Sequence, residues 1–435
     1  MTTYTPLEAE VIRICQDLIR IPSVNFGGGI GDEKAVAEYV VGSLAEVGIE
    51  STLYESAPGR CNVMARLPGR DSQRPGLVVH GHIDVVPANA DEWSVDPFCG
   101  DIIDGMIWGR GAVDMKNMDA MILATVREWS RSGYVPPRDI VLAFFADEEA
   151  GSIFGSHWLV DNHPELFAGC SEAVSEVGGF SVTVGGGKRL YMIETAEKGI
   201  HWMKLTAHGR AGHGSVMNDE NALTRLTEAI AKIGNHQWPQ RYSATVKALF
   251  KRVAAATGKT YDENDLRPLL SEVGFAARMI GATLQNTANP TMLEAGYKAN
   301  VIPGSASAVV DGRFIPGFED ELNETIKSLI GPHVSIETIT RDKALEVPFE
   351  GDLVDAMCAA IMKEDPEAIP VPYLMSGGTD NKALAELGII GYGFSPLKLD
   401  EEFDFMAMFH GVDERVPVEG LTFGVRVLKD FLENS

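Results

Sequence analysis

The sequence is poor in cationic side chains and has no long apolar segment, and each shortage excludes a class of protein. The 435-residue chain sets 37 Lys and Arg against 62 Asp and Glu, so its formal net charge is −25. Binding to nucleic acid requires a basic face that displaces counterions, and this charge argues against it. No run of the sequence approaches the roughly 18 consecutive apolar residues of a membrane span, so we expect no membrane segment.

Cysteine is also scarce, and its five positions never form a C-x-x-C pair: Cys15, Cys61, Cys99, Cys170 and Cys358. Such a set fits free thiols in a reducing cytosol better than disulfides or a thiolate zinc site. The opening residues, MTTYTPLEAE, lack the basic and apolar regions of a secretory signal. We therefore expect a soluble, cytoplasmic protein, in which a few local cations must meet any anionic substrate.

The first half of the chain alternates helix-like and strand-like stretches. Apolar residues recur at helical spacing over 34–47 and 116–130, and nearly continuous apolar strands are predicted at 77–86 and 139–146. Continuous apolar strands between amphipathic helices are typical of an α/β fold with a mainly parallel sheet and helices on both faces.

A different rhythm begins near Lys198. Strands are predicted at 201–209, 291–299, 305–314 and 333–340, helices at 219–234 and 321–330, and a long variable stretch separates them from about 235 to 290. The β-α-β-β-α-β order predicts a small α+β domain inserted into the larger one. We predict a catalytic domain in two parts, 1–196 and 346–435, with an inserted domain at 197–345.

Potential metal ligands follow several of the predicted strands. In HGHID, His82 and Asp84 share one face of a strand, and Asp84 is placed to fix the ring of a metal-bound His82; a polar strand-end turn is the alternative. Asp114, in WGRGAVDMK, follows a glycine-rich turn, where a carboxylate could also be a helix N-cap. In ADEEAGS, three adjacent carboxylates (Asp147, Glu148 and Glu149) end a buried strand, which favours a bound cation over a solvated acidic turn.

There are two further candidates, His410 in AMFHGVDE and Glu176 in AVSEVGGF. Neither residue alone indicates a metal site. Taken with the others, they make a set of carboxylates and histidines without a thiolate. Such a set suits a catalytic zinc, manganese or cobalt site better than a structural one. Open α/β sheets also bind ligands beyond the carboxyl ends of their strands.

Together these motifs, in this order, resemble the aminoacylase/carboxypeptidase family of two-zinc metallopeptidases, which includes aminoacylase-1, acetylornithine deacetylase and succinyl-diaminopimelate desuccinylase. The resemblance covers essentially the whole chain and implies a ferredoxin-like lid and dimerisation domain. It implies two divalent metal ions, zinc or alternatively cobalt or manganese. The implied ligands are His82 and Glu176 for one ion, Glu149 and His410 for the other, and Asp114 as the bridge, often followed by a cis peptide bond. Glu172 lies near Glu176 in the sequence and is the alternative to it.

The resemblance also implies roles for residues that are not ligands. Asp84 would orient His82, and Glu148 would be the general base that takes a proton from a metal-bridging water. His213, in HGRAGHGS, would reach a site from the lid, commonly that of the partner subunit in a homodimer. The implied substrate-binding residues are Asn300, Arg313, Gly377 and Gly378. On the residues alone, His213 could equally be a polar turn residue, and SGGTDN at 376–381 an ordinary glycine turn.

We therefore predict a two-metal hydrolase that cleaves the amide bond of a dipeptide or an N-acyl amino acid. The segment ADEWSVDPF and the 235–290 insertion look most like the carboxypeptidase S and dipeptidase-like members. The alternatives are a biosynthetic deacylase of the acetylornithine or succinyl-diaminopimelate type, and a non-catalytic ligand-binding protein on the same fold. A hydrolase of neutral substrates outside amide chemistry is a third alternative.

Overall fold

The computed structural model describes residues 3–435, which contain eleven α-helices. Short 3₁₀ segments occur between them, including Glu148–Ala150, Arg267–Ala276 and Phe405–Ala407. The helices are α1 (Pro6–Ile19), α2 (Lys34–Ala45), α3 (Lys116–Ser132), α4 (Ser156–Asn162), α5 (Ala222–Gly234), α6 (Ala244–Thr257), α7 (Ala277–Ala282), α8 (Glu319–Ile330), α9 (Asp352–Glu364), α10 (Asn381–Leu384) and α11 (Val418–Asn434). Within residues 3–435, no helix has the length and apolar character needed to cross a bilayer.

The strands form one large sheet, one four-stranded sheet and three small ribbons. In chain order they are β1 (Asn25–Gly27), β2 (Ile30–Gly31), β3 (Thr52–Ala57), β4 (Arg60–Leu67), β5 (Gly76–His82), β6 (Ile102–Ile103), β7 (Met106–Trp108), β8 (Ile140–Phe145), β9 (Cys170–Ser175), β10 (Phe180–Val184), β11 (Lys188–Glu197), β12 (Gly199–His208), β13 (Gly212–His213), β14 (Thr287–Ala295), β15 (Val301–Ile302), β16 (Ser305–Phe314), β17 (Val334–Asp342), β18 (Leu345–Glu346), β19 (Ala368–Met375), β20 (Ile390–Gly393) and β21 (Arg415–Pro417).

The large sheet runs β10-β11-β20-β9-β5-β8-β4-β3, with β18 and β19 also paired to β11. Its centre, from β20 through β9 and β5 to β8, is parallel, whereas β3, β4 and β10 pair antiparallel at the edges. Alternate residues of β5 enter different cores, because Leu77 and Val79 pack on one face and Val78 on the other. The first core includes α1, α2, α3 and α11, and the second includes α4 and α10. The predicted α/β fold with a mainly parallel sheet is confirmed.

The four-stranded sheet has the order β14-β16-β12-β17 and is antiparallel throughout. Taken in sequence, its first strand (β12) lies between the third and the fourth, and its second (β14) is at the edge. With α5 and α8 this is the ferredoxin-like arrangement expected for the lid. Apolar residues of both helices, such as Leu226 and Leu322, pack with Met203 of β12 in a core separate from the large sheet.

The stretch 235–290, which the sequence pattern left as variable, contains α6, α7 and the 3₁₀ segment between them. Most of this segment packs on the core of the large sheet, whereas Trp238 near its start and Ala288 near its end are buried in the core of the lid. Its buried residues in the core of the large sheet include Val246, Phe250, Leu269, Val273 and Ile280. We call residues 235–290 the insertion.

The chain passes between the lid and the large sheet at four places. Two are the connections from β11 to β12 and from β17 to β18, where the predicted boundaries after residues 196 and 345 fall; those boundaries stay predictions. The other two are the ends of the insertion. The buried Lys198, in the first connection, donates from Nζ to the carbonyl oxygens of Ala282 (3.0 Å) and Gln285 (2.9 Å). A single side chain thus holds the end of the insertion against the start of the lid.

Candidate active site

The site begins where β5 ends. His82 is 1% exposed, and its Nδ1 lies 3.0 Å from the carbonyl oxygen and 3.5 Å from the Oδ1 of Asp84. This contact fixes the orientation of the ring, which leaves Nε2 directed at Asp114 Oδ1 (3.1 Å) and Glu176 Oε2 (3.5 Å). The strand-end pair therefore has the geometry expected of a ligand histidine and the carboxylate that orients it.

Asp84 also holds the acidic turn that follows β8. Its two carboxylate oxygens accept hydrogen bonds from the backbone N–H groups of Glu148 and Glu149, each at 3.1 Å. Asn25 donates from Nδ2 to Asp84 Oδ2 (2.9 Å) and to Asp147 Oδ1 (3.0 Å). The same aspartate thus sets the position of a histidine and of two glutamates in the turn after the neighbouring strand, β8.

Asp114 is positioned by a residue from the other end of the chain. The buried Glu414 accepts hydrogen bonds from the N–H groups of Gly111 (2.9 Å), Val113 (2.8 Å) and Asp114 (3.2 Å). Its Oε2 also pairs with Arg110 Nη1 at 2.8 Å. The Asp114 side chain makes no capping bond to α3, whose N-cap position is Met115, so the capping alternative does not describe it. The Asp114–Met115 peptide bond is cis.

Five ligand-type side chains form two groups that share Asp114. In each group the candidate ligand atoms lie within 4.8 Å of one another. His82, Asp114 and Glu176 form the first group; Asp114, Glu149 and His410 form the second. In the second group, His410 Nε2 lies 3.2 Å from Asp114 Oδ2 and 2.9 Å from Glu149 Oε2. Glu172, the alternative to Glu176, is elsewhere and pairs with Arg138 at 2.6 Å.

The pKa values in the two groups are shifted because several carboxylates are buried close together. Burial raises the pKa of Glu176 to about 8, although the neighbouring His82 opposes the shift. Burial also raises the pKa values of Glu148 and Glu149, and the adjacent Asp114 adds to the shift at Glu149. Hydrogen bonds to Asp114 and Glu149 raise the pKa of His410 to about 10. In the protein without cations, these groups therefore retain protons that a bound cation would displace.

The residues present fit divalent metal ions. Each group offers one imidazole nitrogen and carboxylate oxygens, the donors that zinc, cobalt and manganese accept. One oxygen of Glu149, Oε1, is buried without a hydrogen-bond partner among the described residues. A buried carboxylate oxygen without a donor is costly, and a cation between Glu149 and its neighbours would satisfy it.

A cavity of about 660 Å³ opens over the two groups. Glu148 lines it beside Asp114, Glu149 and Glu176 without being one of the clustered ligands. Gly377 and Gly378, which follow β19, line the cavity too. Glu197, next to the lid connection, anchors their loop by accepting from Thr379 N–H (3.0 Å) and Thr379 Oγ1 (2.6 Å).

Five of the predicted site residues are not among those that line the cavity: His82 and Asp84, which are buried, and the three lid residues His213, Asn300 and Arg313. His213 is exposed on the lid, and its Nδ1 lies 2.8 Å from Ser215 Oγ. Asn300 is its neighbour, because β13 pairs with β15 and the Asn300 carbonyl accepts from Gly214 N–H at 2.9 Å. Arg313 forms a bidentate ion pair with Asp311 on the lid sheet. The roles implied for these residues stay predictions.

Two sets of residues were not predicted from the sequence. The first set positions the candidate ligands: Asn25, Arg110 and Glu414. The second set lines the cavity: Phe275, Arg278 and Met279. Arg110 lies inside the recognised motif WGRGAVDMK, as a cation beside carboxylates, and Glu414 is the last residue of the quoted segment AMFHGVDE. Glu414 follows His410 by four residues but carries no signal of its own. The three cavity residues lie in the insertion, and no pattern in the sequence places the insertion over this sheet.

An α/β fold with histidine–carboxylate groups near the carboxyl ends of β5, β8 and β9 is the arrangement expected of a metal-binding hydrolase. The comparison with family models agrees: residues 78–434 match the family described as "Peptidase family M20/M25/M40". The chain belongs to this peptidase family. The predicted family resemblance is thereby confirmed.

Individual relatives are similar over most of the chain. The "Probable carboxypeptidase S-like 2" of Dictyostelium discoideum is 28% identical over 383 residues, which cover 81% of this chain and 70% of that protein. The "N-fatty-acyl-amino acid synthase/hydrolase PM20D1" of Xenopus tropicalis is 25% identical, covering 98% of this chain and 86% of that protein. Among solved structures, the M20 family metallo-carboxypeptidase Sso-CP2 from Sulfolobus solfataricus has a TM-score of 0.74 at 18% identity and supports the fold. It covers 98% of this chain and 99% of its own.

We predict that Glu414→Gln weakens both the fold and the metal site. The substitution leaves Arg110 buried without its charge partner, and breaking a buried pair costs about 3–5 kcal/mol. Urea unfolding measures that loss, and chelator competition should show metal affinity lower by roughly 10- to 100-fold, as for other outer residues of metal sites. Glu401→Gln, at an exposed position, is the matched control. Equal behaviour of the two variants would contradict the role given to Glu414.

We predict that zinc stabilises the protein more at pH 8 than at pH 5.5. The folded-state pKa of Glu176, about 8, lies above that of the unfolded chain, so its contribution to the metal-free stability is lost as the pH rises through 8. The affinity for metal rises over the same pH range because protons no longer compete with the metal for the ligand atoms. Saturation at 100 times the dissociation constant adds about 2.7 kcal/mol.

Thermal melts with zinc and with chelator at the two pH values test this second prediction. His410→Ala should lose the part of the zinc increment that the second group contributes, whereas His208→Ala, at an exposed lid position, should keep the whole increment. A zinc increment that is the same at both pH values, or the same in both variants, would count against the assigned ligands.

Proposed function

We propose that the protein is a two-metal hydrolase that cleaves the amide bond of a dipeptide or an N-acyl amino acid. The proposed metal ligands are His82, Asp114, Glu149, Glu176 and His410, and the proposed metal is zinc, with cobalt or manganese as alternatives. One observation carries the proposal: Glu148 lines the cavity beside two ligand groups that share Asp114, but belongs to neither group.

When bound, two divalent cations would lower the pKa of a water molecule and polarise the scissile carbonyl. Glu148 is the group that accepts a proton from the attacking water and then donates it to the leaving amine, so it serves first as base and then as acid. Its raised pKa, caused by burial, suits the second role because a proton taken up is retained until the amine departs. Asp84 acts through others, by holding His82 and the Glu148–Glu149 turn.

The substrate class rests on the family and on the relatives. Two relatives bear names that refer to a carboxypeptidase and to an N-acyl amino acid hydrolase, and both reactions release a product with a free carboxylate at the amino-acid carbon. The alternatives are a biosynthetic deacylase with the same chemistry, and a binding protein that kept the fold without turnover.

We predict that Glu148→Gln abolishes turnover without displacing metal. Loss of a general base costs roughly 10²- to 10⁴-fold in rate, while the five ligands stay intact. Hydrolysis is followed by mass spectrometry with a pool of dipeptides, N-acetyl and long-chain N-acyl amino acids, N-acetylornithine and succinyl-diaminopimelate, and bound metal is measured on the same samples.

Glu149→Gln is the matched control for that experiment, because it changes the adjacent glutamate and should lose metal as well as activity. Unchanged turnover in Glu148→Gln would remove its role as base. A wild-type protein that cleaves none of the pool with zinc, cobalt or manganese would favour the binding protein.

We further propose a homodimer in which the lid of one subunit supplies His213 and Asn300 to the site of its partner. His213 is exposed and lies outside the set of residues that line the cavity of its own chain. At the sheet edge, β14 leaves Met292 and Leu293 67% and 56% exposed. Exposed apolar side chains on an edge strand favour pairing with a second copy.

We predict that two inactive variants, His213→Ala and Glu148→Gln, restore activity when they are mixed. Each mixed dimer would combine Glu148 of one subunit with His213 of the other at one of its two sites. Random exchange in a two-fold dimer would therefore recover about a quarter of the wild-type rate. A monomeric mass in light scattering together with full activity, or no recovery after subunit exchange, would defeat this assignment.

A further inference from the structure

Most of the side chains that line the cavity are acidic or apolar, and the exceptions are Ser376, His410 and Arg278. Five of its lining residues are carboxylates: Asp114, Glu148, Glu149, Glu176 and Asp404. Arg278 is the one Lys or Arg among the described residues that line it. Its guanidinium takes part in none of the ion pairs found within residues 3–435, and the side chain is exposed. A free cation at the wall of an acidic cavity is placed to meet an anion that enters.

The position of Arg278 follows from the helical geometry of the insertion. Arg278, Met279 and Ala282 of α7 line the cavity, and their spacing of i, i+1 and i+4 puts them on one side of this helix; Phe275, in the 3₁₀ segment just before α7, lines the cavity too. Ala276 and Ile280 of the same stretch are buried in the core of the large sheet. Lys198 additionally binds the carbonyl of Ala282. The catalytic core of the same chain therefore holds this side over the cavity.

Arg313, the cation that the sequence favoured for substrate binding, is already occupied. Its Nε and Nη2 lie 2.7 and 3.2 Å from the two oxygens of Asp311. The guanidinium also lies over the ring of Trp202, 5.8 Å from the centroid. Recruiting Arg313 to a substrate would break this bidentate pair, whereas Arg278 has no pair to break.

We propose that Arg278 binds the free carboxylate of the substrate from within the same chain, close to the Gly377–Gly378 loop. This inference rests on the proposed function and adds to it the residue that binds the substrate carboxylate. The guanidinium would make a bidentate bond to the carboxylate, and Phe275 and Met279 beside it would contact an apolar acyl group or side chain. The substrate class is thus an amide with a free carboxylate and an apolar body.

The test compares N-acetyl-L-leucine, N-decanoyl-L-leucine and L-leucyl-L-leucine, each with its carboxamide counterpart, in wild type, Arg278→Met and Arg278→Lys. For the carboxylates that wild type cleaves, Arg278→Met should raise KM about 10- to 100-fold with kcat changed less than about threefold. The carboxamides should respond little, and Arg278→Lys should recover part of the affinity because it restores the charge without the planar fork. Arg267→Met, an exposed arginine of the insertion outside the cavity lining, controls for the loss of one positive charge.

Calorimetric binding of N-decanoyl-L-leucine to zinc-loaded Glu148→Gln, with and without Arg278→Met, separates this inference from the proposed function. If wild type cleaves no probe but binding to the Glu148→Gln protein falls 10-fold or more on adding Arg278→Met, the proposed function fails and the carboxylate site stands. The inference is overturned if Arg278→Met leaves KM and binding unchanged, if Arg313→Met carries the KM effect instead, or if N-decanoyl-L-leucine does not bind.

Discussion

Repulsion among carboxylates at the end of a buried sheet is the constraint around which this site is arranged. Asp114, Glu149 and Glu176 meet within hydrogen-bonding distance of two histidines, where little water is available to screen their charge. The surrounding chain supplies donors rather than further acceptors. Backbone N–H groups and Asn25 satisfy Asp84, and Arg110 with three N–H groups satisfies Glu414. The negative charge of the candidate ligands themselves remains uncompensated, and it faces the space between them.

The features that depend on a local sequence pattern could be predicted from the sequence. Continuous apolar segments predicted the strands now seen as β5 and β8, and the β-α-β-β-α-β order predicted the lid. His82, Asp114 and Glu149 were found because each follows a strand or turn with a recognisable motif, whereas Glu176 and His410 were found only as members of the whole set. Glu414 and Asn25 were missed because their importance lies in contacts with residues far along the chain, such as Gly111 and Asp84. No local signal distinguishes a buried glutamate that accepts three N–H bonds from an ordinary surface acid.

The insertion was the least predictable part for a related reason. Its apolar residues at helical spacing, such as Val246, Phe250 and Val253, are visible in the sequence, but they do not say which core they enter. Their position in the chain suggests that these residues enter the core of the lid, whereas in the structure they pack in the core of the large sheet. This difference decides which residues line the cavity. This segment is connected to the lid along the chain and packs against the large sheet, so it joins the two.

The two ligand groups are completed at very different stages of synthesis. His82, Asp114 and Glu176 all lie in the first half of the chain, whereas His410, and Glu414 that fixes the Asp114 turn, follow more than two hundred residues later. A nascent chain emerging from the ribosome therefore exposes one potential metal-binding group, on a turn that is not yet braced, before the other can exist. The second group therefore forms only when the C-terminal part of the chain has been made, and the same part supplies α11 to the core of the large sheet.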